Sequence, residues 1–398
     1  EESVAAARVV AAASVGGRLA ISWSAVSGAT DYVVYKSTQG DAATVPVGTA
    51  MGYIANTTGT SFVDNNITPD FSRQAPQNTN PFTGNPPAAS TYFQQRWVAG
   101  GANNKPSTVN GSKPGAFRNF DVSNPINEGD AYSFTLSSQD VNAIRHFVAM
   151  PGGLLAFTTG GVWQLSGGGT NQALTATDVV ANPQSYTGSS DVQPIITNYN
   201  VIYVQDTGSV VRELAYNLFT NIYSGTDITV YNNHLFQPEG TVVPIVDSAN
   251  ALEPFKLQLY VRADGQINAL TYLKEQELTG WTPWTTQGKY LAVTSIKENG
   301  LDAIYCIVRR FIAGQWRTSV ERFAERAFEY GAEDAWSVDC GLRNNLTSVN
   351  AIGNASARSG SITLTASSAV FSSGDVGKII RFGRGIGEIT AFISATQV

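Results

Sequence analysis

Apolar residues in this chain come in short runs that turn back on themselves. Leu154-Leu155-Ala156-Phe157 leads through Gly160-Gly161 into Val162-Trp163-Gln164-Leu165. Val201-Ile202-Tyr203-Val204 turns at Asp206-Thr207-Gly208 into Val210-Val211-Arg212-Glu213-Leu214. Leu257 to Val261 turns at Asp264-Gly265 into Ile267-Asn268-Ala269-Leu270, and Ile304 to Val308 turns near Gly314 into Trp316 to Val320. A weaker copy, Phe93-Gln94-Gln95-Arg96-Trp97-Val98, lies upstream. A strand, a Gly-containing turn and a second strand make a β-hairpin. Copies starting roughly 45 to 60 residues apart have the spacing of propeller blades. The pattern predicts an all-β protein with a β-propeller over residues 91–340.

The flanks read differently. In residues 1–67, Leu19 to Trp23 alternates as a half-buried strand, Val26-Ser27-Gly28-Ala29 turns, and Tyr32 to Lys36 is the next strand. Trp23, Tyr32 and Tyr35 then pack across two sheets, as in a fibronectin type III-like β-sandwich. Ser61 to Asp64 reads as a later strand, and the aromatic strand expected after it is replaced by Thr68-Pro69-Asp70-Phe71. Residues 68–90, rich in Pro and Asn, read as a linker. Residues 341–398 hold three short strands, near 361–366, 376–382 and 387–393, and read as a small β-barrel or β-roll module. Val320 to Glu329 carries charges at helical spacing, but its first half continues a strand.

Composition narrows the class. The 398 residues are 42% apolar with 38 glycines, which suits a turn-rich globular protein. Only 14% are charged, well below the usual quarter, which points to surface covered by partners. A net charge of -6 argues against a general nucleic-acid binder, although it suits a wall past which DNA slides. Two cysteines, Cys306 and Cys340, make no disulfide framework, and Cys306 reads as a buried thiol in an apolar strand. No apolar run reaches membrane-spanning length, and no signal peptide is evident. Opening on Glu1-Glu2-Ser3 rather than Met, the chain is expected to be a piece of a longer product.

Catalytic chemistry finds little support. His146 and His234 are far apart and lack acidic or cysteine neighbours at ligand spacing, so no metal site is expected. No nucleophile elbow, zincin motif or phosphate loop is present, and Gly167-Gly168-Gly169 reads as a loop. Asp130, Asp140, Asp178, Asp191, Asp206, Asp227, Asp264 and Asp302 are acid–base candidates by type alone. Most stand beside Gly, Ser or Thr, where aspartate shapes turns. Tyr92, Trp97, Trp163, Tyr186, Trp281, Trp284 and Trp316 are of the type that stacks on sugars, and core packing competes with that reading. Arg309-Arg310 is the sharpest basic step, open to phosphate contact or to a salt bridge.

Several phrases, taken in order, resemble the propeller of short-tailed phage (podovirus) tail nozzle proteins, also called the tail tubular protein B family. Tyr92 to Trp97 is followed by Lys105-Pro106 and Gly111-Ser112-Lys113; Phe134 to Ser138 leads into Val141 to His146. Phe157 to Trp163, Pro183 to Ser190, Tyr203-Val204-Gln205 with Val211 to Leu214, and Leu270 to Glu277 continue the series. The resemblance extends to a fibronectin-like region before the propeller and a small β module after it. It implies a structural, non-enzymatic virion protein of the phage tail, with no cofactor and no catalytic or metal residues. Six copies would form a tube below the portal and adaptor ring, with tail fibre or needle proteins at or below it. That tube would gate and conduct double-stranded genomic DNA during ejection. The competing readings are a carbohydrate-binding or carbohydrate-cleaving propeller and an adhesin acting through residues 1–67.

Overall fold

A computed structural model describes residues 18–38, 49–75, 80–123, 126–137, 141–169, 172–219, 222–324, 335, 338–341, 353–382 and 385–398. The chain divides into two compact units, one of residues 1–284 with 290–294, the other of residues 285–289 with 295–398.

The first unit begins with five strands, β1 (Leu19–Ser22), β2 (Tyr32–Lys36), β3 (Gly52–Thr57), β4 (Ser61–Asp64) and β5 (Asp70–Gln74). β1 pairs with β4, and β2, β3 and β5 form a second sheet, giving the fibronectin type III-like sandwich. Trp23 and Tyr32 meet edge to face at 5.5 Å, and the Val26 N–H donates to the Tyr32 hydroxyl at 2.9 Å. Asp70–Gln74, expected within a linker, instead completes the second sheet beside β3. The turn into it is anchored by Asp64, whose carboxylate accepts from the Ile67 N–H at 2.8 Å and pairs with Lys36 at 2.8 Å.

Four four-stranded antiparallel meanders follow, and they form the propeller. The first sheet is β6 (Ala89–Phe93), β7 (Arg96–Ala102), β8 (Lys105–Gly111) and β9 (Tyr132–Thr135). The second is β10 (Ile144–Met150), β11 (Gly153–Thr158), β12 (Val162–Ser166) and β13 (Val180–Ser185). The third is β14 (Ile195–Thr197), β15 (Asn200–Val204), β16 (Val211–Asn217) and β17 (Ile222–Asp227). The fourth is β18 (Ile245–Ala251), β19 (Leu257–Arg262), β20 (Ile267–Leu273) and β21 (Leu278–Trp284). Each pairs in simple sequence order. First strands neighbour one another, β6 with β10 and β14 with β18, and the fourth strands β13 and β17 are also neighbours.

Stacking explains why the middle strands are apolar without alternation. A sheet covered on both faces buries every side chain, so its strands read as continuous apolar runs. On β11, Leu154 and Ala156 join a core with Val98 and Val109 of the first sheet. Leu155 and Phe157 point the other way, into a core with Val201, Tyr203 and Leu214 of the third. β15 repeats this, with Val201 and Tyr203 in that core and Ile202 and Val204 packed with Tyr260 and Leu270 of the fourth sheet. The hairpin turns suit their glycines. Gly208 and Gly265 have φ of 80° and 91°, a region that costs other residues energy. Two of the outermost strands contain prolines, Pro183 on β13 and Pro283 on β21. A sheet edge tolerates the missing N–H.

The second unit holds most of a three-stranded sheet, β22 (Gly288–Glu298), β23 (Leu301–Ile312) and β24 (Gln315–Arg322), with Tyr290–Thr294 of β22 belonging to the first unit. The strand reading of Val320 holds as far as Arg322; residues 325–329 lie outside the described residues. The small β module follows, with β25 (Gly353–Ala355) paired to β26 (Leu364–Ala366) and β27 (Ile379–Phe382) to β28 (Gly385–Glu388). The chain's last residues lie against β26, where the Leu364 N–H donates to Val398 O at 2.9 Å.

Candidate functional site

The polar side chains with the most organised surroundings sit where one blade meets the next. On β10, the His146 Nε2–H donates to the Ser190 carbonyl at 3.1 Å, in the segment that leads to β14. Beside it, Arg145 pairs with Asp191 at 2.7 Å. On β18, the Ser248 hydroxyl donates to the Gln193 carbonyl at 3.1 Å, and Asp247 accepts from the Val293 N–H at 2.8 Å. Earlier in the ring, the Ser107 hydroxyl of β8 donates to Asn142 O at 2.9 Å. These bonds add to the apolar stacking that joins neighbouring sheets. Burial pulls the His146 imidazole below its ordinary range and Arg145 adds to this; the Ser190 carbonyl, Asp191 and Gln193 oppose it. Its role is that of a neutral donor.

A second arrangement orders the long connection from β8 to β9. Arg96 is buried, and its guanidinium donates to the carbonyls of Ser112 at 2.7 Å, Asp130 at 2.5 Å and Glu128 at 2.7 Å. It also lies 5.4 Å from the Tyr132 ring centroid. The Asp130 carboxylate accepts from the Ser123 and Asn127 N–H groups at 3.0 and 2.8 Å and pairs with Lys113 at 3.1 Å. These partners outweigh burial and hold its pKa below the ordinary value. Next to Arg96, Gln94 and Gln95 make the β6–β7 turn with φ of 47° and 60°. The Gln94 side chain accepts from the Leu174 N–H at 2.8 Å, fastening a loop of the second sheet to the first. Arg96 and Gln94 stand inside a phrase singled out in the sequence, but their contacts are non-local and leave no sequence signal.

The other candidates are dispersed. Asp178 accepts from the Gly168 N–H at 2.8 Å, so the triple-glycine stretch is a loop closed by a carboxylate. Asp227 caps Thr229 through its N–H and hydroxyl, at 2.7 and 2.6 Å, and Asp264 pairs with buried Arg262. Asp206 stands in the β15–β16 turn and Asp302 at the start of β23; Asp140 lies outside the described residues. His234 is exposed in a short 3-10 turn, distant in the chain from any carboxylate pair. Among the described residues no group of three or more His, Cys, Asp or Glu side chains is placed to hold a metal.

The aromatics divide between core and surface. Trp163 is in the core between the first two sheets. Trp97 packs against Phe82 and Phe120 at 5.5 and 5.7 Å, and Trp281 against Phe236 at 4.9 Å. Trp284 is half-buried. Tyr92, Tyr186 and Trp316 are exposed. The two arginines of the basic step part company. Arg310 is buried in an ion cluster, bidentate to Glu321 at 2.7 and 2.8 Å and bonded to Asp339 and the Thr286 hydroxyl at 2.7 Å each. Arg309 is exposed and lies 5.2 Å from the Trp316 ring centroid. Cys306 is buried and its thiol is pushed up to about 12, chiefly by desolvation, so it is an inert core thiol.

No family model and no curated protein matches the chain. Among solved structures, it is similar to the Pan2 WD40 domain of Neurospora crassa, with 8% identity and a TM-score of 0.32 over 61% of this chain and 64% of that one. An auxiliary nutrient binding protein of Bacteroides thetaiotaomicron matches at 10% identity and TM-score 0.32, over 61% of this chain and 57% of that one. A protein from Lactobacillus plantarum matches at 10% identity and TM-score 0.35, over 74% and 82%. The chain thus spans less than two thirds of the length of the first two. The fold itself defines the class: an all-β protein with a β-propeller core, flanked by a fibronectin type III-like sandwich and a small β module. Among the described residues no helix is long and apolar enough to cross a membrane.

Proposed function

We propose that this chain is a tail nozzle protein of a short-tailed phage virion, one of six copies that form a tube below the portal and adaptor ring. The tube gates and conducts genomic DNA during ejection. The observation that carries the reading is the order of the family-like phrases, which recur through all four blades. Tyr92 to Trp97 builds the β6–β7 hairpin, Phe157 to Trp163 the β11–β12 hairpin, Val211 to Leu214 lies on β16, and Leu270 to Glu277 runs from β20 through the turn that precedes β21. The chemistry of the surface supports it. A conduit works best with weak contacts, because each neutralised phosphate adds affinity that slows passage. The net charge of -6 suits such a wall, and Arg145, Arg96, Arg262 and Arg310 are each bonded to partners within the chain.

The test is location in the particle. Immunogold labelling of intact virions with antibody against this chain is expected to decorate the tail below the head. Label confined to host cell walls or to peripheral spikes overturns the reading. A glycan array separates the rival, since exposed Tyr186 and Tyr231 are the aromatic type that sugars stack on. Specific glycan binding lost on Tyr186→Ala, with no tail label, favours the carbohydrate-binding propeller.

A further inference from the structure

Asn299 and Gly300 make the two-residue turn between β22 and β23, with φ of 50° and 82°. Positive φ at both positions is the hairpin geometry that an Asn-Gly pair favours. Both residues are exposed, and a Cβ built on Gly300 would meet nothing within 4 Å, so the turn is open around its glycine. The sequence contains one other Asn-Gly step, Asn110-Gly111 on β8. There both residues are buried, and Asn110 is paired with Ala99 of β7 on one side and Ser133 of β9 on the other. A Cβ on Gly111 would run into the Tyr132 ring. The same dipeptide thus stands once in an open turn and once in the middle of a sheet.

We propose that Asn299 is a site of spontaneous modification, converting to isoaspartate and aspartate through a cyclic imide, while the fold keeps Asn110 unreactive. The Gly300 amide nitrogen gives its proton to hydroxide and attacks the carbonyl carbon of the Asn299 side chain. A new C–N bond closes the imide ring, and the side-chain nitrogen takes a proton from water and leaves as ammonia. Water then opens the ring at either carbonyl. Opening on the main-chain side routes the backbone through the former side chain, which is isoaspartate; opening on the other side gives aspartate. The balance is one water consumed and one ammonia released, with no oxidant or reductant. Ring closure requires rotation of the Asn299 backbone and space beside the attacking nitrogen, and glycine supplies both. On β8 that rotation breaks pairing with two neighbouring strands, so it waits for the sheet to open. The product adds a carboxylate next to Glu298, which already accepts from the Tyr305 hydroxyl at 2.6 Å and Arg322 at 2.9 Å. No step depends on how many copies assemble.

The experiment is peptide mass spectrometry on the full-length chain aged in mildly alkaline buffer, folded and in urea, with isoaspartate read by an isoaspartyl methyltransferase. In urea both Asn-Gly steps are expected to convert at similar rates. In the folded chain Asn299 is expected to convert within about tenfold of its rate in urea, because a surface turn opens at little cost. Asn110 is expected to slow by more than about 1,000-fold, because it reacts only when the sheet opens. Asn299→Gln is expected to abolish the isoaspartate signal of the folded chain. Glutamine suits the turn, since Gln94 and Gln95 already hold φ of 47° and 60°. Folded protein that protects Asn299 as fully as Asn110 overturns the inference. A signal that survives in Asn299→Gln places the reaction elsewhere and overturns it too.

Discussion

The His146 imidazole of β10 and the Ser190 carbonyl stand 3.1 Å apart, joining one blade to the segment that leads into the next. The bond needs only a neutral imidazole, and burial keeps the ring neutral. Because the folded pKa is lowered, His146 costs no stability above the unfolded value of about 6.5. Stability is lost as pH falls from there, since the unfolded chain then binds the proton more readily. His146→Gln keeps a donor and removes the titration. Its urea midpoint is expected to vary less between pH 7 and pH 5 than that of wild type, and equal slopes contradict the assignment.

The blade stacking predicts where truncation hurts most. Phe157 is fully buried and its ring lies 5.2 Å from that of Tyr203, across the interface of the second and third sheets. Phe157→Ala is expected to destabilise the first unit by about 3–5 kcal/mol, read by chemical denaturation. A loss under about 1 kcal/mol would mean that the two sheets do not share a core.

Gly188 tests the close approach of the connector to the second sheet. A Cβ there would lie 1.9 Å from the Thr159 carbonyl oxygen, whereas one at Gly129 would meet nothing within 4 Å. Gly188→Ala is expected to lower the melting temperature by several degrees. Gly129→Ala, the control, is expected to leave it within a degree or so. Equal behaviour of the two contradicts the packing described.

Arg310 holds the second unit together. Arg310→Met leaves Glu321 and Asp339 without their shared cation, and Asp339 is otherwise bonded to Thr286 and the Gln287 N–H. Because both carboxylates are partly exposed, the expected loss is about 2 kcal/mol, below that for a fully buried pair. Hydrogen exchange in β23 and β24 should accelerate while the four blades keep their protection. Uniform acceleration across both units contradicts a local role.

The central hairpins were legible because stacking buries both faces of a strand, and that leaves unbroken runs such as Leu154 to Phe157 between turns. Outer strands were not. Asp70–Gln74 and Val180–Ser185 have one solvent side or two, so their residues are polar and resemble loop. The inter-blade ties were equally invisible. His146 and Ser190 are 44 positions apart, and Arg96 reaches Asp130 across 34. Nothing in either residue's neighbourhood signals its partner. The Arg309-Arg310 step shows the same limit, because strand alternation sends one guanidinium into an ion cluster and the other to solvent.

In the proposed role, copies of this chain build a tube for DNA. Electron microscopy of the purified full-length protein, alone and mixed with the adaptor ring of the same phage, tests it most directly. Six-fold rings with an axial channel, stacked on the adaptor, are the predicted result. Isolated propellers in both samples, with no ring at any concentration, would contradict it.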